Sequence, residues 1–248
     1  MQLLQRAKHI NNNPNRRDNG KPGITKVTIR IALDAMGGDH GTKSVLGGIP
    51  LCNPHSSDVI FNVFGNSELI KGMCKKDWPH NIVHTDKVIP SDMKPSYALR
   101  YGRGSSMFEA ISSVARGESD AVVSSGNTGA YMALSKAILK TIPGIERPAL
   151  VSLLPNIDGG SNVVLDLGAN TECDPNNLFQ FAIMGDAVAR ALLKIENPRI
   201  ALLNIGVEKN KGTSIVQDAF KLTSNYFKDR FIGFVEGTDL SKSTADVI

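Results

Sequence analysis

Four short stretches of this chain carry the residue types that hold an anion without a metal. They are Asp34-Ala35-Met36-Gly37-Gly38-Asp39-His40-Gly41, Ser124-Ser125-Gly126-Asn127-Thr128-Gly129-Ala130, Asp166-Leu167-Gly168-Ala169-Asn170, and Asn204-Ile205-Gly206-Val207-Glu208-Lys209-Asn210-Lys211-Gly212-Thr213. Glycine lets the backbone turn sharply and approach a ligand closely, and free N–H groups at the start of a following helix favour negative charge. Taken one at a time, each stretch is also ordinary turn chemistry, and an Asp or Asn beside a helix start commonly serves as its cap. Their recurrence in one structural context, directly after an apolar run, predicts a single donor-lined cleft of phosphate size.

The apolar runs read as strands over Val27–Leu33, Val59–Gly65, Ile82–Val88, Ala121–Ser124, Ala149–Leu154, Val163–Leu167, Ile200–Ile205 and Phe231–Val235. Helical periodicity marks Thr42–Leu51, Ser67–Lys75, Ser105–Arg116, Thr128–Lys140, Leu178–Ile195 and Thr213–Tyr226. Strand then helix, repeated, predicts an α/β protein: a three-layer α/β/α arrangement around a mainly parallel sheet, with ligand sites past the carboxyl ends of the strands. The four stretches fall at such ends.

Other chemistries find less support. Gly37-Gly38-Asp39-His40-Gly41 lacks G-x-G-x-x-G spacing, and Lys211-Gly212-Thr213-Ser214 lacks the order of a nucleoside-triphosphate loop, so neither NAD nor ATP is indicated. His80 and His84 flank a segment read as strand entry, where i, i+4 spacing does not converge two rings on a metal, and nearby Cys74 does not complete a zinc set. No G-x-S-x-G elbow offers a serine nucleophile. Arg100 and Arg103 lead into the helix that Ser105 is expected to cap, and they offer planar donor forks to an anionic substrate or an acidic partner.

Composition bounds the rest. The 248 residues are 41% apolar and 21% charged, enough to bury a sizeable core. Residues 1–30 hold seven Lys and Arg against Asp18 alone, so with a total net charge of +4 the remainder is slightly acidic and presents no nucleic-acid surface. Residues 1–25 are polar and rich in helix and strand breakers, which predicts a disordered basic tail ahead of an α/β domain over 26–248. Cys52, Cys74 and Cys173 are odd in number and far apart, which fits a reducing compartment, and no run of residues is long and apolar enough for a membrane span.

Ile31 to Asp39, Gly104-Ser105-Ser106-Met107, Ser125 to Ala130, Pro143-Gly144-Ile145-Glu146-Arg147-Pro148-Ala149, Asp166 to Asn170, and Asn204-Ile205-Gly206 with Glu208, Lys211 and Gly212 resemble the signature blocks of the bacterial phosphate acyltransferase family, PlsX, in family order. The resemblance covers residues 28–248. It implies transfer of an acyl group from acyl carrier protein to inorganic phosphate for phospholipid synthesis, and a fold similar to isocitrate and isopropylmalate dehydrogenases. It also implies a homodimer, no metal or organic cofactor, and cytoplasmic location with peripheral membrane association. The acyl phosphate would pass to a membrane glycerol-3-phosphate acyltransferase. Family members continue beyond the point where this chain ends, at Ser243–Ile248 in an apolar strand, which sets against the active enzyme the alternative of an incomplete chain that keeps its fold or partner binding without turnover. Short acyl-CoA thioesters are the competing donor.

Phosphate can itself attack a thioester carbonyl, so positioning and oxyanion stabilisation are the expected catalytic devices. On this reading the backbones of Gly37, Gly38, Gly126 and Gly129, with Asn127, Thr128 and Asn170, hold phosphate and the developing oxyanion. Lys211 neutralises charge, Asp34 and Asp39 orient donors or handle protons, and Arg100 and Glu208 border the substrate.

Overall fold

The computed structural model describes residues 28–52, 58–74, 78, 80–208 and 210–248. The expected tail over 1–25 lies outside them.

Strands β1 (Ile29–Asp34), β2 (Val59–Gly65), β3 (His80–His84) and β4 (Ala121–Ser124) form a parallel sheet in the order β3-β2-β1-β4. Alternation along the strands covers both faces. Leu33, Ala35, Phe61 and Val63 point to one side, where they bury Leu46 of helix α1 (Gly41–Gly48) and Ile70 of α2 (Ser67–Met73). Ala32 and Phe64 point to the other, against Ala110 of α4 (Ser106–Ala115). Burying each of these larger aliphatic and aromatic side chains contributes about 1.5–3 kcal/mol, which holds the layers together. Helix α5 (Thr128–Leu139) leaves β4 and packs through Ala130 and Leu134 on Met107 and Ile111 of α4.

Helix α3 (Pro95–Tyr101) was not expected, because this stretch reads as a loop leading into α4. Proline at its first position and Gly102 at its end bound it, but Lys94 before it supplies no side-chain cap, so the usual start signal is absent. Ser105 caps α4 as expected, accepting from the Phe108 N–H at 3.2 Å.

The second half is built on another sheet. Strands β5 (Val151–Pro155) and β6 (Ser161–Leu165) make an antiparallel hairpin, while β7 (Ile200–Leu203) and β8 (Phe231–Val235) are parallel. Residues 246–248 lie between the two pairs. The Val163 and Leu165 N–H groups donate to the carbonyls of Asp246 and Ile248, and the Ala201 N–H donates to that of Val247. Val247 therefore bridges β6 and β7 in parallel register. Helices α6 (Pro175–Val188), extended by a wider turn over Ala189–Leu193, and α7 (Ser214–Phe227) cover one face through Ala182, Ala189 and Phe227. The sheets are mainly parallel with flanking helices, as expected; the β5–β6 hairpin is the antiparallel exception.

Candidate active site

In the first sheet the chain runs outward from β1 to β2 and β3, then returns to place β4 on the other side of β1. Connections diverge at that point, so the loops after β1 and β4 leave in opposite directions and open a crevice at the carboxyl ends. Gly37 and Gly126 meet across it. A Cβ on Gly37 would stand 2.9 Å from both Cα and N of Gly126, and 2.7 Å from Asp34 Oδ2. Gly38 has φ +84°, and a Cβ there would stand 2.6 Å from the Ser125 carbonyl oxygen. Only glycine at both positions allows the loops to touch.

Asp34 ends β1 and is 1% exposed. Its Oδ2 accepts from Ser124 Oγ at 2.7 Å, while Ser124 Oγ itself accepts from the Gly126 N–H at 3.1 Å. Ser125 Oγ donates to the Gly37 carbonyl at 3.0 Å. Asp34 thus fastens the two loops together from beneath. Burial first, and the Asp34 charge second, push the neighbouring Tyr131 phenol above its ordinary pKa.

Asn127 caps α5 through Oδ1, which accepts from the Ala130 N–H at 2.9 Å. Both hydrogens of its amide are also engaged, with Ser91 and Met93 carbonyls each at 2.8 Å. Its side chain thus ties the start of α5 to the Ser91–Met93 segment and positions the crevice. By contrast the N–H groups of Gly37, Gly38, Thr128 and Gly129 have no hydrogen-bond partner among the described residues. The last two belong to the first turn of α5, where donors are unpaired and the helix dipole is positive. Asp39 is exposed at the rim and accepts from Ser91 Oγ at 3.0 Å.

The other two stretches lie on the second sheet, so the four do not share one sheet edge. Asp166 organises its own loop, accepting from the Leu150, Ala169 and Asn170 N–H groups at 2.7, 3.2 and 2.8 Å. Asn170 Nδ2 is occupied by Asp166 Oδ2 and the Pro148 carbonyl, both at 3.0 Å. Asp166 and Asn170 edge a largely apolar cavity of about 290 Å³ that Leu165, Leu203, Val216 and Ile248 help to line. Burial, with Asp166 nearby, raises the pKa of Cys173 in the same wall. Beyond β7, Asn204 Nδ2 donates to the Gly206 and Lys211 carbonyls at 3.1 Å each. Glu208 and Lys211 are exposed on this loop. Arg100 projects from α3, exposed and without an ion pair among the described residues. No group of three or more His, Cys, Asp or Glu among the described residues could hold a metal.

Residues 29–248 match the family described as fatty acid synthesis protein. The chain belongs to that family. It is 48% identical over 226 residues to the phosphate acyltransferase of Rhodospirillum rubrum, covering 89% of this chain and 64% of that protein. To the phosphate acyltransferase of Vibrio vulnificus it is 44% identical over 226 residues, covering 89% of this chain and 66% of the relative. The chain thus spans a little less than two thirds of the length of these curated relatives. In fold it is similar to a phosphotransacetylase from Streptococcus pyogenes, with TM-score 0.64 and 17% identity over 89% of this chain and 76% of that one.

Within this family fold, sequence reasoning passed over Ser91, Pro95 and Ser124. Ser124 sits inside one of the glycine-rich stretches, but its pairing with Asp34 joins residues 90 positions apart. Pro95 Cγ would stand 2.9 Å from a Cβ on Gly129, and Ser91 reaches Asp39 and Asn127, contacts that no local pattern announces.

Proposed function

We propose that this chain is a phosphate acyltransferase, transferring the acyl group of an acyl-carrier-protein thioester to inorganic phosphate. The observation that carries the reading is the Gly37–Gly126 apposition at the switch point, beside the unpartnered N–H groups of Gly37, Gly38, Thr128 and Gly129. In a family whose curated relatives are named phosphate acyltransferases, an anion-sized cradle of backbone donors is where phosphate belongs.

In the reaction, a phosphate oxygen attacks the thioester carbonyl carbon and forms the new C–O bond. Negative charge moves to the carbonyl oxygen, and collapse of that adduct breaks the C–S bond, releasing the carrier thiolate, which takes up the proton that the attacking hydrogen phosphate gives up on becoming acyl phosphate. No covalent intermediate on the enzyme is required. Backbone donors aimed at phosphate and oxyanion lower the barrier because they are already oriented before charge develops. Asp34, Asn127 and Ser124 keep them so oriented. Lys211 is assigned to phosphate charge, Thr128 and Asn170 to contacts with phosphate and the developing oxyanion, and Glu208 to the border of the substrate.

The wider reading is an isocitrate/isopropylmalate dehydrogenase-like α/β domain over 26–248, acting as a homodimer in the cytoplasm and peripherally at the membrane. Its product would supply a membrane glycerol-3-phosphate acyltransferase. No helix among the described residues is long and apolar enough to cross a membrane. The decisive assay traps acyl phosphate with hydroxylamine after incubating the purified 248-residue chain with phosphate and either acyl-carrier-protein or acyl-CoA thioester. Phosphate-dependent product with the carrier donor is expected, reduced at least tenfold in Lys211→Ala, the scale on which a charge-stabilising donor acts. Phosphate binding without turnover would reduce the reading to a binding fold.

A further inference from the structure

Eight arginines lie among the described residues, and six have side-chain partners. Arg30, Arg116, Arg190, Arg199 and Arg230 pair with carboxylates, and Arg147 donates to the Glu172 carbonyl. Arg100 and Arg103 alone make no side-chain hydrogen bond or ion pair among those residues, and both are exposed. They flank the end of α3, whose outer face also presents Tyr97 and Tyr101, 57% and 58% exposed, with ring centroids 5.8 Å apart. Lys94 stands at the start of the same face, and Lys87 Nζ reaches the Arg103 carbonyl at 2.9 Å, adding positive charge there.

Such a face is not explained by packing. Ala98 is the buried side of α3, and the tyrosines, Leu99 at 49% exposure and the arginines are left outside. Exposed tyrosines in tilted contact beside uncommitted arginines are the residue types that anchor protein interfaces, and an unpaired cationic cluster selects an acidic partner. The face is also mechanically tied to the crevice. Pro95 at its first turn abuts Gly129, and Asn127 grips the carbonyls of Ser91 and Met93 just before it.

Resting on the proposed reaction, we infer that the outer face of α3, with Lys94, Tyr97, Arg100, Tyr101 and Arg103, docks an acidic carrier protein and presents its thioester to the crevice. A thioester donor held on a protein must be brought to the reacting phosphate, and this cationic, aromatic surface adjoins the place where phosphate is assigned. Long-range attraction would speed the encounter, and the tyrosines would hold the complex long enough for transfer.

The test measures binding of fluorescently labelled acyl carrier protein, without an acyl chain, to the full 248-residue chain by anisotropy at several salt concentrations. The Arg100→Glu/Arg103→Glu double variant should weaken binding by about tenfold or more and flatten its salt dependence, as reversing two interfacial charges does. Arg100→Lys/Arg103→Lys should retain most of it, and Lys221→Glu on α7 should bind as the parent does. Matching thermal melts check that the exposed substitutions leave folding intact. Equal binding by the parent and the double-Glu variant overturns the docking face while leaving the reaction in place. Failure of the parent to bind carrier protein, or a defect of the double-Glu variant confined to vesicles of anionic lipid, also overturns it. The reaction itself is judged separately by acyl phosphate formation from either donor.

Discussion

Replacing Gly37 by alanine tests the crevice at its narrowest point. Gly37 does not have the positive φ of Gly38, so the substitution adds one methyl group without backbone strain. That methyl would lie 2.7 Å from Asp34 Oδ2 and 2.9 Å from Gly126 Cα, both closer than Cβ atoms sit in real proteins. Neither neighbour can retreat freely. Asp34 is 1% exposed and bound to Ser124 at 2.7 Å, and a Cβ on Gly126 would itself lie 2.7 Å from the Met107 methyl, so the space behind it is filled. Inserting one methyl into such packing costs about 1–3 kcal/mol, or roughly 2–10 °C in Tm for a chain of this size. The loops must part to admit it, so phosphate affinity should fall with stability. Urea unfolding and phosphate titration calorimetry measure the two effects. Gly47→Ala is the control: nothing lies within 4 Å of its would-be Cβ in α1, and it should stabilise by about 0.5–1 kcal/mol. A Gly37→Ala protein as stable as the parent to within about 0.5 kcal/mol, with unchanged phosphate binding, would refute the close apposition of the loops.

Two further predictions concern the ties that hold each half together. Asn127→Ala removes the α5 cap and both bonds to the Ser91 and Met93 carbonyls, and should cost about 2–3 kcal/mol in urea unfolding. Asn127→Asp, which keeps the cap but turns an acceptor toward those carbonyls, should recover only part of this. Asp246 anchors residues 246–248, accepting from the Arg199 N–H at 2.7 Å and from Arg199 Nε and Nη2 at 3.0 and 2.9 Å. Burial alone would raise its pKa, but the side-chain and backbone hydrogen bonds from Arg199, with its charge, outweigh that and hold it below the ordinary carboxylate value. Its contribution is therefore complete above the unfolded carboxylate pKa of about 3.9 and is lost as pH falls through the lower folded value. Asp246→Asn should destabilise by about 1–2 kcal/mol at pH 7, a figure discounted for the half-exposed Arg199, and the difference from the parent should close in strong acid. Denaturant midpoints measured from pH 7 down to about pH 2 check both the size and the direction.

What the amino-acid order determined by itself is local. β2, β4 and β8 lie where apolar runs rich in β-branched and aromatic residues end at turn formers, and the bounds expected for them are the bounds observed. Asn127 and Ser105 cap the helices they precede because a short polar side chain needs to reach only three residues ahead. The glycine-rich stretches are visible for the same reason, as are the blocks that mark the family. Tertiary structure decided which of those stretches meet. The loops of Gly37 and Gly126 touch because β4 pairs with β1, while those of Asp166 and Asn204 belong to a sheet joined through Val247. Strand pairing of this kind depends on contacts between residues tens of positions apart, whose loop-closure cost and packing gain leave no periodic trace in the chain. The same limit hid α3, stabilised by Ala98 packing within the α3–α5 core rather than by a capping side chain, and with it the uncommitted arginines that stand beside the crevice.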